Sequence, residues 1–148
     1  MPRARLAPFV TRTLLPTLIA ALSAGHAAAN SFTITPASNF SSWNIAIDGA
    51  NAVANPDLTL YTELSYTFTV TASGTHPFWI KTVRGIGSGN GYAGTGLSAN
   101  GVTSSTTITF DVPVDAPATL FYDCANHSLM SGTITVIPNR IFNDNFGG

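Results

Sequence analysis

Leu120-Phe121-Tyr122-Asp123-Cys124-Ala125-Asn126-His127-Ser128-Leu129-Met130-Ser131-Gly132-Thr133-Ile134-Thr135-Val136 is the stretch that decides how this chain folds. Leu120, Tyr122 and Cys124 recur every second residue and so share one face of a strand ending at Cys124. Ile134 and Val136 resume the same two-residue period after Met130, so a short loop joins two strands. The pattern spreads outward from there. Phe32 and Ile34 alternate with polar neighbours, and Trp43, Ile45 and Ile47 do so before an Asp48-Gly49 turn. Leu58 and Leu60 follow Asn55-Pro56-Asp57. Tyr66, Phe68 and Val70 alternate with threonines, His76, Phe78 and Ile80 share a face, and Ile108, Phe110 and Val112 follow. No stretch sustains a helical period. Seven to eight short strands with turn signals between them predict an all-β, antiparallel β-sandwich.

Residues 1–29 read as a secretory signal peptide. Arg3, Arg5 and Arg12 form a basic start without an acid, Leu14 to Leu22 form a short apolar stretch, and Ala27-Ala28-Ala29 gives a cleavage pattern. That stretch is too short to span a bilayer, so no membrane span is expected after cleavage. Removing 29 residues from 148 leaves 119, enough for one domain with a real core. Residues 30–137 are expected to be that domain, and 138–148 a C-terminal tail, whose Ile141, Phe142 and Phe146 either pack on the domain or serve recognition, or which is a loosely held terminus. Lys81, Arg84 and Arg140 then face seven acids, for a net charge of −4. Such a balance excludes a basic nucleic-acid-binding face.

The soft metal ligands of that domain are few and grouped. It holds one cysteine, Cys124, two histidines, His76 and His127, and one methionine, Met130, since His26 and Met1 fall in the leader. An unpaired cysteine in an exported chain needs an explanation. Two imidazoles, one thiolate and one thioether form the ligand set of a blue-copper electron-transfer site. The alternation turns His76 inward with Phe78, and Cys124 inward with Tyr122. Zinc is the main chemical rival, but methionine is a poor zinc ligand. Asp123, the acid nearest this set, should point away from Cys124. Cys124 and His127 as a nucleophilic dyad would lack a readable oxyanion feature.

Other signals carry less. Residues 85 to 101 contain seven glycines, among them Gly89-x-Gly91-x-x-Gly94. A nucleotide loop would need a helix after it, and no helical pattern follows, so the segment reads as a flexible surface connection anchored by Tyr92 and Leu97. Asn39-Phe40-Ser41 and Asn126-His127-Ser128 match the glycan acceptor pattern. A glycan on Asn126 would crowd the ligands, so that match is taken as accidental.

With these residues in view, the chain resembles the small cupredoxins, the family of plastocyanin, pseudoazurin and amicyanin. The resemblance lies in His76-Pro77-Phe78 and in Tyr122-Asp123-Cys124-Ala125-Asn126-His127-Ser128-Leu129-Met130-Ser131-Gly132, with support from Asn55 to Leu60 and Tyr66 to Val70. The Cys-x-x-His-x-x-Met spacing is similar to that of amicyanin. The resemblance implies a Greek-key sandwich and one mononuclear type 1 copper, with His76 and Cys124 buried, His127 at the exposed edge and Met130 as weak axial ligand. It implies docking of redox partners on an apolar patch near His127, including Leu129 and Pro77. One departure stands out: members of this family commonly carry Asn after the first histidine, whose N–H bonds the cysteine sulfur, and Pro77 has no N–H.

The expected function is a periplasmic or secreted carrier of single electrons, a monomer and not an enzyme. The alternative is a copper-binding protein for storage, delivery or scavenging, with the same ligands. A domain with one methionine and two histidines is poorer in copper ligands than delivery proteins tend to be. The absence of His-x-His pairs leaves no ligands for additional coppers of an oxidase.

Overall fold

The two-residue alternation read from the sequence becomes a two-faced sandwich in the computed structural model, which describes residues 30–139. The leader, its cleavage point and the tail from residue 140 onward lie outside the described residues. Nine strands form: β1 (Ser31–Pro36), β2 (Trp43–Ile47), β3 (Val53–Ala54), β4 (Leu58–Tyr61), β5 (Ser65–Val70), β6 (Phe78–Lys81), β7 (Thr106–Asp111), β8 (Thr119–Cys124) and β9 (Ser131–Ile137). Phe32 and Ile34 of β1, Tyr66, Phe68 and Val70 of β5, and Ile108 and Phe110 of β7 turn inward from one sheet. Leu58 and Leu60 of β4, Leu120 and Tyr122 of β8, and Ile134 and Val136 of β9 turn inward from the other. Both inner faces meet in one apolar core, the arrangement that lets two half-apolar sheets remove that surface from water.

One sheet has the order β3-β2-β1-β5-β7 and the other β4-β9-β8-β6. The chain changes sheets after β3, β4, β5, β6 and β7. That crossing corrects the expectation of purely antiparallel pairing. β1 pairs β5 in parallel, Phe32 opposite Phe68, and β4 pairs β9 in parallel, Leu58 opposite Ile134. Each parallel pair joins strands far apart in sequence, so no tight hairpin constrains their direction. The remaining pairings are antiparallel. The ninth strand is the two-residue β3, both of whose residues are exposed. It lacks the buried alternation from which a sequence pattern is read.

Residues 85 to 101 are tied down more than their glycines suggest. Lys81 is fully buried on the outer face of β6 beneath this segment, and its ammonium donates to the carbonyls of Gly85 and Gly87, the latter at 2.7 Å. Asp123, also buried, accepts from Gly85 N at 2.9 Å and lies 4.0 Å from Lys81 Nζ. Asn100 receives Ile80 N and donates to Ile80 O, both at 2.8 Å. Tyr92 packs on Phe110 with ring centroids 5.4 Å apart. Gly101 has φ +64° and leaves no room for a Cβ against the Trp79 ring, so only glycine suits both its backbone and its neighbour. Tyr92 does anchor the segment, as expected, and Leu97 bridges Phe110. The expectation of a flexible connection misses the buried Lys81–Asp123 pair beneath it.

Candidate metal centre

The end of the four-stranded sheet collects the ligand candidates because β8 finishes where β6 and β9 begin. Cys124, the last residue of β8, lies opposite Phe78, the first residue of β6. Asp123 lies opposite Ser131, the first residue of β9. Six residues, 125 to 130, close the turn between β8 and β9. Its ends are pinned: Cys124 N donates to Met130 O at 2.9 Å, and Met130 N donates to His127 O at 3.1 Å. Ala125 N donates to Pro77 O at 3.1 Å, and Ala125 O receives Gly87 N at 2.7 Å. The backbone on both sides of the thiol is therefore fixed from three directions.

His76 enters from the turn before β6, with its N–H donating to Ser73 O at 2.9 Å. The Asn126 amide joins the two ligand loops by donating to Thr75 O at 3.0 Å and Gly74 O at 3.4 Å.

The side chains converge. Cys124 Sγ lies 4.0 Å from His76 Nδ1 and 3.4 Å from His127 Nδ1. The donor atoms of His76, Cys124 and His127 all fall within 4.8 Å of one another. Two donors about 2.0–2.3 Å from a common first-row metal, at angles near tetrahedral or trigonal, sit about 3.4–3.8 Å apart. The His127–Cys124 distance falls in that span and the His76–Cys124 distance lies just beyond it. A metal at this point would take both Nδ1 lone pairs and leave the Nε2 nitrogens protonated. The donor set thus fits one small soft or borderline cation. His76 is 4% exposed and Cys124 1%, and the thiol is free of any disulfide. Met130 is fully buried beside them, and His127 is partly buried. Burial holds the His76 imidazole below its ordinary pKa, and the charge His127 would carry pushes it the same way. Both effects favour the neutral, ligand-competent ring.

Aromatic neighbours surround the pair of imidazoles. The His76 and His127 rings stack at 4.7 Å and 29°. Trp43, fully buried, meets His76 edge-on at 6.4 Å and Phe78 at 5.3 Å. Its indole N–H has no acceptor among the described residues. Phe40 lies over both imidazoles, 4.8 Å from His76 and 5.6 Å from His127. Asn55 stitches the Phe40 turn to the ligand loop: its Oδ1 accepts Trp43 N at 2.9 Å, and its Nδ2 donates to Leu129 O at 2.8 Å and to Ser41 O at 3.4 Å. Sequence reasoning read Asn55 only as part of a turn and gave Phe40 no role at the site. The sequence signal open to it was the Asn55-Pro56 pair, which marks a turn; in the structure Asn55 takes φ +45°, a conformation that asparagine tolerates better than most residues. Of the patch expected near His127, Leu129 is exposed at 68%, whereas Pro77 is buried. Pro77 therefore contributes backbone geometry and not docking surface.

No family model matches the chain, and no curated protein matches it. Among solved structures it is similar to rusticyanin from Thiobacillus ferrooxidans, at 18% identity and a TM-score of 0.44, covering 72% of this chain and 75% of that one. A reduced rusticyanin matches at 21% identity and a TM-score of 0.42, covering 72% and 77%. A reduced Cu(I) form of an amicyanin mutant matches at 14% identity and a TM-score of 0.41, covering 75% and 86%. The chain's own geometry defines the site: a two-sheet β-sandwich whose end gathers His76, Cys124 and His127, with Met130 buried beside them.

Proposed function

We propose that this protein is a type 1 copper electron carrier, with His76, Cys124, His127 and Met130 as the residues that would hold the metal. The observation that carries this reading is the approach of one thiol and two imidazole Nδ1 atoms within 4.8 Å of one another, in a largely buried site. Thiolate, imidazole and thioether together suit copper in both oxidation states, and bound copper would supply a one-electron redox couple. The chain supplies the rest. Its hydrogen bonds at Cys124, Ala125 and Met130 hold the ligand loop still, which keeps the rearrangement between oxidation states small. Burial of Cys124, His76 and Met130 excludes water from the ligands. His127, the partly buried member, faces outward beside the exposed Leu129 and Phe40 and gives electrons their route to a docked redox partner. Asp123 faces Lys81 and the glycine-rich segment, away from the site, and takes no part in acid–base chemistry there.

The carrier works outside the cytoplasm, after removal of residues 1–29, with 30–137 as the copper domain. Asn30 N lies 3.1 Å from Asp48 Oδ1. Cleavage before Asn30 would make that nitrogen an ammonium already facing a carboxylate. Among the described residues no helix is long and apolar enough to cross a membrane.

Electron self-exchange measured by NMR on mixed oxidised and reduced protein tests the carrier role. Rapid exchange with copper retained in both states is the expected result. Slow exchange, with reduced copper passing readily to an acceptor chelator, would instead make it a delivery protein.

A further inference from the structure

We infer that Phe40 is a positioning residue for the metal centre: a stacked aromatic cover that holds His127 beside Cys124 before any metal arrives. The inference rests on the reading of His76, Cys124 and His127 as one copper site. Phe40 sits in the turn between β1 and β2, on the opposite sheet from Cys124. Three flat rings cluster in a triangle there, with centroids 4.8 Å apart for Phe40 and His76, 5.6 Å for Phe40 and His127, and 4.7 Å for the two imidazoles. All three interplanar angles are 30° or less, so one aromatic face covers both ligands.

The backbone shows that this placement is held against local preference. Phe40 has φ +56°, a region that bulky residues rarely occupy, and its side chain is 52% exposed. Such a conformation persists where its surroundings over-determine it. Hydrogen bonds of the turn supply those surroundings. Phe40 N donates to Ala37 O at 3.1 Å, Ala37 N donates to Ser42 O at 2.9 Å, and Asn55 ties Ser41 O to Leu129 O in the ligand loop. The turn and the ligand loop are thus joined by one side chain, with the Phe40 ring across the gap between them.

The two histidines need this cover unequally. His76 is enclosed by Trp43 and the core, so its ring is fixed without Phe40. His127 stands in a short loop and is only partly buried. Its described ring contacts are His76 and Phe40. Without Phe40, one face of His127 opens to solvent and the imidazole can swing away from the thiol. A stacked aromatic pair is worth roughly a two- to tenfold change in such a population.

The test uses Phe40→Leu, which keeps apolar bulk without a flat ring, and Phe40→Tyr, which restores the ring. The anchors of the turn are backbone groups and Asn55, so neither variant removes them. Contacts between the His127 ring and the Cys124 β-protons are measured by NMR in the metal-free protein. They should keep their intensity in the wild type and in Phe40→Tyr and weaken in Phe40→Leu, while the His76 ring keeps its contacts with Trp43. Removal of copper from the loaded protein by a chelator should then run roughly two- to tenfold faster in Phe40→Leu only. Undiminished His127–Cys124 contacts in Phe40→Leu, or equal weakening in Phe40→Tyr, would overturn the inference. A protein that took up no copper would defeat the copper reading instead, and the metal-free contacts would still decide the role of Phe40.

Discussion

The sulfur of Cys124 has two neighbours within hydrogen-bonding range among the described residues, the Nδ1 atoms of His76 and His127. No backbone N–H of the described residues reaches it, and Pro77, next to His76, has none to offer. A donor there would stabilise the more electron-rich thiolate of the reduced site and raise the potential. A hydrogen bond to a charged group contributes about 1.5–3 kcal/mol, of which only the difference between oxidation states counts. Pro77→Asn should therefore raise the reduction potential by on the order of 50 mV, taking about 59 mV per factor of ten for one electron. Protein-film voltammetry checks this, and an unchanged or lower potential would remove Pro77 as a tuning residue. The ligand candidates themselves were legible at this scale, because soft side chains are scarce in the sequence and three of the four, Cys124, His127 and Met130, share one regular spacing. The residues packed around them were not. Phe40, Trp43 and Asn55 come from distant turns and strand ends, and no local period links them to His127.

Strands and loops divide by how their residues declare themselves. Inward alternation marks β1, β5, β8 and β9 directly, since every second side chain is apolar and buried. The parallel pairing of β1 with β5 and of β4 with β9 leaves no such mark, because strand direction is set by which sheet the chain enters next. The glycine-rich segment hides its anchor for a different reason. Lys81 and Asp123 look like surface charges until the segment folds over them. Asp123→Ala would strand the buried Lys81 ammonium and free Gly85 N, and should cost about 3–5 kcal/mol. Urea unfolding measures this loss, and a cost below about 1 kcal/mol would show that the pair is solvated. At the start of β1, Asp48 accepts from Ser31 N at 2.9 Å, Ser31 Oγ at 3.0 Å and Asn30 N at 3.1 Å. The Ser31 N–H, foremost among these, holds the carboxyl below the ordinary aspartate range. A lowered folded-state value means that the stabilisation is complete above the unfolded value and is lost as pH falls through the folded one. Asp48→Asn should therefore flatten the fall in stability below about pH 4, with little change at neutral pH in that slope. Thermal melts across that range test it, and an unaltered acid slope would exclude Asp48 as the cause.

Across the whole molecule the sandwich acts as a frame that brings one end of the four-stranded sheet against a turn of the opposite sheet. Cys124, His127 and Met130 come from a single loop, His76 from the turn before β6, and the cover over the imidazoles from the turn before β2. The apolar core common to both sheets holds these parts in register. A site of this construction should bind copper in a geometry imposed by the protein, since the chain fixes its ligand loop by hydrogen bonds independent of any metal. Visible absorption and EPR spectra of the purified protein with one equivalent of copper(II), alongside Cys124→Ala, test that claim most directly. The account predicts an intense blue or green thiolate-to-copper band in the wild type that is absent in Cys124→Ala. A pale complex, or a spectrum that Cys124→Ala leaves unchanged, would contradict it.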